Sequence, residues 1–269
     1  MALYGFVPEA AYPGRRYGAE LHDHSELHGL LRGALEALVE NRAITPVWPD
    51  AVAGILDAYL GAVPGGFDVG GRRYTPRSFL EASGFDPGDY VEFTWFTHHP
   101  FYSWFALEIP DNWAHNRSYN VSLDELMATL DRALERGFSV AWDGDVSERS
   151  FCHAKGVALW PTKEWDERSE VQKREICDRP EPEARVGSES RQRMFDDHMS
   201  SDDHLMHIVG TASDQNGTRY YITKNSWGPT GARDGYVYMS EPYVRAKTIS
   251  ILLHRDALPA ALERRLSDD

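Results

Sequence analysis

Histidine, asparagine and cysteine together make a thiol hydrolase, and this chain carries the first two in a telling place. His204 opens the stretch Asp203-His204-Leu205-Met206-His207-Ile208-Val209-Gly210, and Asn225 closes Tyr220-Tyr221-Ile222-Thr223-Lys224-Asn225, followed by Ser226-Trp227-Gly228. Between them Asp214-Gln215-Asn216-Gly217 is an Asn-Gly turn, so the two stretches form a hairpin. Hairpin ends opposite the turn lie side by side, which brings an imidazole to a carboxamide. In a thiol peptidase the imidazole takes the cysteine proton and keeps the thiolate well below its ordinary range. The carboxamide oxygen fixes the imidazole's tautomer and orientation, as a carboxylate does in serine enzymes.

The third member is missing. The chain has two cysteines, Cys152 and Cys177. Cys152 follows a predicted strand with no helix N-terminus to acidify it, and Cys177 sits in a strongly charged stretch. Neither has the electropositive setting of a reactive thiol, so both are read as structural. Two cysteines are too few for a disulfide scaffold and suit a reducing compartment, with a single bridge left open.

Other clusters carry weaker chemistry. His24 and His28 are four apart and close to His22, but the Glu of a His-Glu-x-x-His zinc motif is lacking, and the group is read as a solvated helix start rather than a metal site. His98-His99 is read as a loop pair making hydrogen bonds, with a place on the substrate channel as the alternative. The sequence holds no Gly-x-x-x-x-Gly-Lys-Ser/Thr phosphate loop, no Gly-x-Gly-x-x-Gly and no Gly-x-Ser-x-Gly elbow. No metal or organic cofactor is implied.

The elements that must position His204 and Asn225 follow from local pattern. A Pro/Gly-bounded loop, Val7 to Gly18, leads to a helix from about Leu21 to Asn41, whose Leu27, Leu30, Leu31, Leu35, Leu38 and Val39 form one apolar stripe read as core. After Pro46 and Pro49 a second helix carries Val52, Ile55, Leu56, Tyr59 and Leu60, with Gly61 as its cap. Residues 64–76 form a hairpin turning at Gly70-Gly71, and a short helix runs from Pro76 to Ser83. Tyr90 to Trp113 is extended strand and loop. Ser122 and Glu125 make a capping box for a helix ending at Gly137, and a strand from Phe138 to Trp142 follows. Strands then run over His207–Ala212, Arg219–Lys224, Gly235–Met239 and Lys247–Leu253. Helices first and an antiparallel sheet after make the chain α+β.

Composition sets the outer bounds. At 269 residues with 42% hydrophobic and 26% charged content, the chain can bury a full core. A formal charge of −14 argues against nucleic acid, which needs a basic face. No run reaches the roughly 18 apolar residues of a membrane span, and the first residues lack a basic segment followed by a long apolar core, so no signal peptide is read.

Asp-His-x-Met-x-x-x-Gly followed by Lys-Asn-Ser-Trp-Gly resembles the papain superfamily of cysteine peptidases. Tyr4-Gly5-Phe6-Val7-Pro8-Glu9, Thr97-His98-His99-Pro100-Phe101-Tyr102, Leu107-Glu108-Ile109-Pro110-Asp111-Asn112-Trp113, Ser118-Tyr119-Asn120-Val121, Trp142-Asp143-Gly144-Asp145-Val146-Ser147 and Asp214-Gln215-Asn216-Gly217-Thr218 are similar to its bleomycin hydrolase/aminopeptidase C branch. The resemblance covers residues 4 to 260. It implies a papain-like α+β fold, with 1–120 a mainly helical and loop region and 121–269 a β-rich domain bearing a charged surface insertion at about 162–190. It assigns the catalytic histidine to His204 and the asparagine to Asn225, sets Trp227 over their hydrogen bond, and gives Asp203 a neighbouring tuning position. It further implies peptide substrates cut at their N-termini, a closed homo-hexamer and a cytoplasmic location, with export known in some bacterial relatives. The family's Gln…Cys-Trp segment, which supplies nucleophile and oxyanion hole, has no counterpart here, so the chain alone is expected to be inactive. The alternative is a complete but non-catalytic binding or assembly subunit.

Overall fold

A computed structural model describes residues 1–15, 22–41 and 44–268. The expected helix start at Leu21 and the end of the first loop at Gly18 lie outside the described residues. The chain divides into two compact units, Met1–Pro87 and Gly88–Asp269.

The first unit holds helices α1 (Ser25–Glu40) and α2 (Trp48–Leu60), the hairpin strands β1 (Phe67–Val69) and β2 (Arg72–Tyr74), and helix α3 (Pro76–Ser83). Gly61 ends α2 at φ 89°, and Thr75 with Ser78 caps α3 reciprocally. Phe79 gathers the rings of Phe6, Phe67 and Tyr74 edge-on at 5.0–5.4 Å. The leucine stripe departs from expectation: in α1 only Leu27 is buried, while Leu30, Leu35 and Val39 are exposed, Val39 at 79%. An amphipathic stripe shows that a face has to be covered, not by what.

The second unit contains β3 (Tyr90–Thr94), β4 (Trp104–Ala106), β5 (Arg117–Asn120), α4 (Leu123–Glu135), β6 (Val140–Gly144), β7 (Phe151–Cys152), β8 (Val157–Ala158), α5 (Glu170–Arg174), α6 (Ser188–Asp196), β9 (His204–Ser213), β10 (Arg219–Lys224), β11 (Tyr236–Ser240), α7 (Glu241–Lys247), β12 (Thr248–His254) and α8 (Ala260–Asp268). Ten strands make one sheet in the order β4-β5-β3-β12-β6-β9-β10-β11-β8-β7. The pairs β3–β5 and β8–β11 are parallel and the rest antiparallel, as the α+β expectation requires. Leu123, Leu126, Leu130 and Ala133 of α4 are buried with Trp142, Ile208, Tyr221 and Ile251 of the sheet. Each such leucine or isoleucine contributes about 1.5–3 kcal/mol. Asp131 of α4 accepts from Arg219 Nη1 at 2.7 Å and Tyr221 Oη at 2.8 Å, which clamps the helix to the strand that ends beside Asn225.

Helix α4 opens on the expected Ser122/Glu125 box and closes as a Schellman motif. Gly137 adopts φ 82°, its N–H donates to the Leu134 carbonyl, and the Phe138 N–H donates to the Ala133 carbonyl. Phe138 is spent on that cap, so β6 begins at Val140 rather than at Phe138. Among the described residues no helix is long and apolar enough to cross a membrane.

Candidate active site

The β9–β10 hairpin forms as the turn chemistry requires. Asp214 Oδ1 accepts from the N–H groups of Asn216 and Thr218, and the Gly217 N–H donates to the Asp214 carbonyl. A register shift at Ile222/Thr223 inserts a bulge in the ladder. Beyond it His204, Met206 and Ile208 lie on one face of β9, with Met206 and Ile208 buried. His204 is the first strand residue, three earlier than expected, and it pairs with Gly144 of β6.

The two sequence candidates meet. His204 Nε2 lies 2.8 Å from Asn225 Oδ1. The Ser226 backbone N–H donates to the same oxygen at 2.7 Å. A backbone N–H can only donate, so this end of the carboxamide is the oxygen, and His204 must donate to it from Nε2. The Nδ1 lone pair of His204 is thereby left to accept a proton. Asn225 is buried, its N–H donating to the Gly235 carbonyl. The Trp227 ring lies 4.9 Å from the His204 ring and remains 48% exposed.

The hairpin ends rest on a buried ionic knot. Lys247 Nζ reaches Asp145 Oδ2 at 3.1 Å, Glu148 Oε1 at 2.6 Å and the Met199 carbonyl at 2.7 Å. Asp145 also accepts from Ser147 and from the Ser201 N–H. Asp203 accepts from the Val146 N–H at 3.0 Å. The segment before His204 is thus tied to the Trp142–Ser147 stretch.

Beside His204 a cavity of about 580 Å³ is lined by Glu92, Asp143, Asp202, Asp203 and Ser250 among others. Burial pushes the Asp143 carboxyl far above the carboxylate range, and the Asp202 and Glu92 carboxyls push it further. Unfolded, the same group titrates at about 3.9. Between those two values the folded chain holds one proton more than the unfolded chain, so this group makes stability fall as pH rises. Asp143→Asn is expected to flatten that decline and to melt higher than the unsubstituted chain at pH 8. Melting curves at pH 5, 6.5 and 8 with unchanged slope in the variant would count against it.

The cysteines form the single bridge left open by the sequence, Cys152–Cys177, closing 25 residues of chain. It ties the charged stretch to the sheet edge, where Ile176 and Cys177 are buried with Leu159 and Tyr220. Neither sulfur is a free thiol.

The histidine pairs separate. His22 and His24 have rings 5.2 Å apart, His22 facing Glu9, and His24 immediately precedes α1. His98 and His99 both meet Glu108, at 3.2 and 2.7 Å, making the one three-donor group among the described residues with metal-like spacing. Its surroundings do not suit a cation. Gln192 Oε1 accepts from the Thr97 N–H at 2.7 Å, so Gln192 Nε2 donates to His98 Nδ1 at 3.0 Å. That places the His98 proton on Nε2, where a metal would have to bind.

His153 was missed. Its Nδ1 lies 3.3 Å from Asn225 Nδ2, its Nε2 2.8 Å from Thr230 Oγ1, and its ring 4.7 Å from Trp227. The two residues are 72 apart in sequence, and no local pattern links them.

Comparison with known proteins bears on the family and the fold. The Peptidase C1-like family matches residues 71–269. No curated protein sequence matches the chain. Among solved structures, PepW from Lactobacillus rhamnosis superposes with a TM-score of 0.68 at 20% identity, over 98% of this chain and 62% of that one. The chain therefore spans less than two thirds of the length of that protein. The bromelain protease from Ananas comosus, solved in complex with the E64 inhibitor, gives a TM-score of 0.24 at 18% identity over 42% of this chain and 39% of that one. With its sheet, its hairpin and nearly three quarters of its length matched to that family, the chain is a member of the Peptidase C1-like family of papain-like cysteine peptidases.

Proposed function

We propose that the chain is the His/Asn-bearing part of a cysteine exopeptidase of the bleomycin hydrolase/aminopeptidase C type. His204 is its general base, Asn225 orients that base, and the thiolate comes from a Gln…Cys-Trp segment outside these 269 residues. One observation carries the reading: His204 donates from Nε2 to Asn225 at 2.8 Å, which leaves Nδ1 to take a thiol proton. The thiolate then attacks the scissile carbonyl carbon, and His204 returns the proton to the departing amine. Water attacks the resulting thioester, giving its proton to His204, and the acid leaves as the thiol reforms. The carboxyl-rich cavity beside His204 suits the ammonium group of a peptide N-terminus, which supports cleavage from that end. By the same family likeness the enzyme assembles as a closed homo-oligomer and works in the cytoplasm or, as in some bacterial relatives, after export; the Cys152–Cys177 bridge favours the oxidising compartment that export reaches.

Aminoacyl-coumarin turnover tests the reading. The 269-residue chain alone is expected to give none, because both sulfurs are bridged. The reading frame upstream of Met1 is expected to encode Gln…Cys-Trp, and the chain joined to that segment is expected to turn over substrate and to be blocked by iodoacetamide. A stop codon close to Met1 with no Cys-Trp beyond it, or a joined protein without turnover, would favour the non-catalytic binding subunit. Turnover by the chain alone, lost in Cys152→Ala, would overturn the assignment of the nucleophile.

A further inference from the structure

We propose that His153 is a positioning residue for Asn225, holding its carboxamide so that the oxygen, not the nitrogen, faces His204. The catalytic consequence rests on the peptidase reading above; the geometry does not.

The orientation can be followed atom by atom. The Ser226 N–H donates to Asn225 Oδ1 at 2.7 Å, which fixes the oxygen end of the carboxamide. The NH₂ end then points at His153 Nδ1, 3.3 Å away. An amide nitrogen only donates, so His153 Nδ1 accepts and its proton sits on Nε2. That proton has an acceptor, Thr230 Oγ1 at 2.8 Å, whose hydroxyl donates onward to the Trp227 carbonyl at 3.4 Å. The chain of donors runs without conflict from Asn225 to the Trp227 backbone. A flipped carboxamide would set its NH₂ against the Ser226 N–H and against the His204 N–H. His153 therefore selects the same state from the nitrogen side that Ser226 selects from the oxygen side.

The backbone around His153 is held as a positioning role requires. Cys152, one residue before, is bridged to Cys177. The Ala232 N–H donates to the Ala154 carbonyl at 2.9 Å. Gly231, at φ 75°, lets the 228–235 loop close over this turn, since a Cβ there would lie 2.6 Å from the His153 carbonyl oxygen. Trp227 packs against both imidazoles, with ring centroids 4.7 Å from His153 and 4.9 Å from His204. The bridge, the loop and the indole thus set His153 against Asn225.

The test reads tautomers rather than turnover. In the ¹⁵N-histidine-labelled chain at pH 8, above the ordinary histidine range, long-range nitrogen–proton spectra are expected to show both His153 and His204 protonated on Nε2. His153→Phe keeps a ring against Trp227 and removes the acceptor. In that variant the Asn225 side-chain amide protons are expected to exchange at least about tenfold faster, and His204 to lose its single tautomer. His153→Gln, whose side-chain oxygen can accept, is expected to restore both signals. A proton on His153 Nδ1 in the unsubstituted chain would overturn the proposal, and so would a folded His153→Phe chain with unchanged exchange and unchanged His204 tautomer. Should the phenylalanine variant not fold, the tautomer of the unsubstituted chain decides. Signals as expected together with no turnover in the joined protein would sink the peptidase reading and leave the role of His153 standing.

Discussion

His204→Ala, made in the protein that carries the Gln…Cys-Trp segment, is expected to lower kcat by at least about 10⁴-fold, the scale on which removal of a catalytic base acts in an acyl-transfer site. Two steps depend on that imidazole: generating the thiolate, and protonating the departing amine. Asn225→Ala is expected to cost less, about 10²-fold, because the ring stays and only its aim is lost. Its carboxamide oxygen is what assigns the proton to Nε2, at 2.8 Å, and hence the lone pair to Nδ1. The two losses are expected not to add, since an imidazole that is absent cannot be misaimed. The double variant should therefore match His204→Ala within about a factor of three. Steady-state kinetics on one aminoacyl-coumarin substrate, with substrate above KM, settles the comparison. Losses that multiplied would mean that Asn225 contributes independently of His204. An unimpaired Asn225→Ala enzyme would leave the hydrogen bond without a catalytic role.

How much of this could be read from the sequence depended on distance along the chain. The hairpin carrying both residues was legible because its turn is local: Asp214, Asn216, Gly217 and Thr218 fix each other within five residues. The Ser122/Glu125 cap, the Gly70-Gly71 turn and the Gly61 cap were legible for the same reason. Helix α7 was not read: Ser240 caps it and Pro242 sits in its first turn, a local start signal, but its Tyr243, Val244 and Ala246 are all buried and show no solvent-facing polar stripe. Period alone cannot divide such a run into strand, helix and strand. His153 could not be read at all. It opens the tight turn after β7 while its partner Asn225 follows β10, and only the folded sheet brings them together. The cysteines had a legible negative, since neither sits at an α-helix N-terminus, but their pairing is a long-range fact.

Lys247→Met is expected to destabilise the chain by about 3–5 kcal/mol, the cost of leaving a buried charge without its partner. The ammonium and the Asp145 carboxylate are both almost wholly shielded from water, at 0% and 1% side-chain exposure. Burial pushes the Asp145 carboxyl up, but the hydrogen bonds from Ser147 and the charge of Lys247 outweigh it and hold the group below its ordinary range. A carboxyl held low adds stability above its unfolded value, and that stability is lost as pH falls through the folded value. With methionine in place, burial is left opposed by the Ser147 and Ser201 donors and by the charge of buried Arg191, and without Lys247 the carboxyl moves upward. The variant should accordingly lose most stability near pH 7 and least below pH 4, where protonation relieves the unpaired charge. Urea midpoints at pH 7 and pH 4 test this directly. Adding Asp145→Asn to Lys247→Met should recover part of the loss at pH 7, because the stranded charge is then gone. Failure of the second substitution to recover any stability would mean that the methionine costs packing rather than charge. The effect should also reach the site: Asp145 accepts from the Ser201 N–H and Asp203 holds the Val146 N–H. Loosening that knot frees the segment that delivers His204, so activity in the joined protein should fall at temperatures where the variant is still folded.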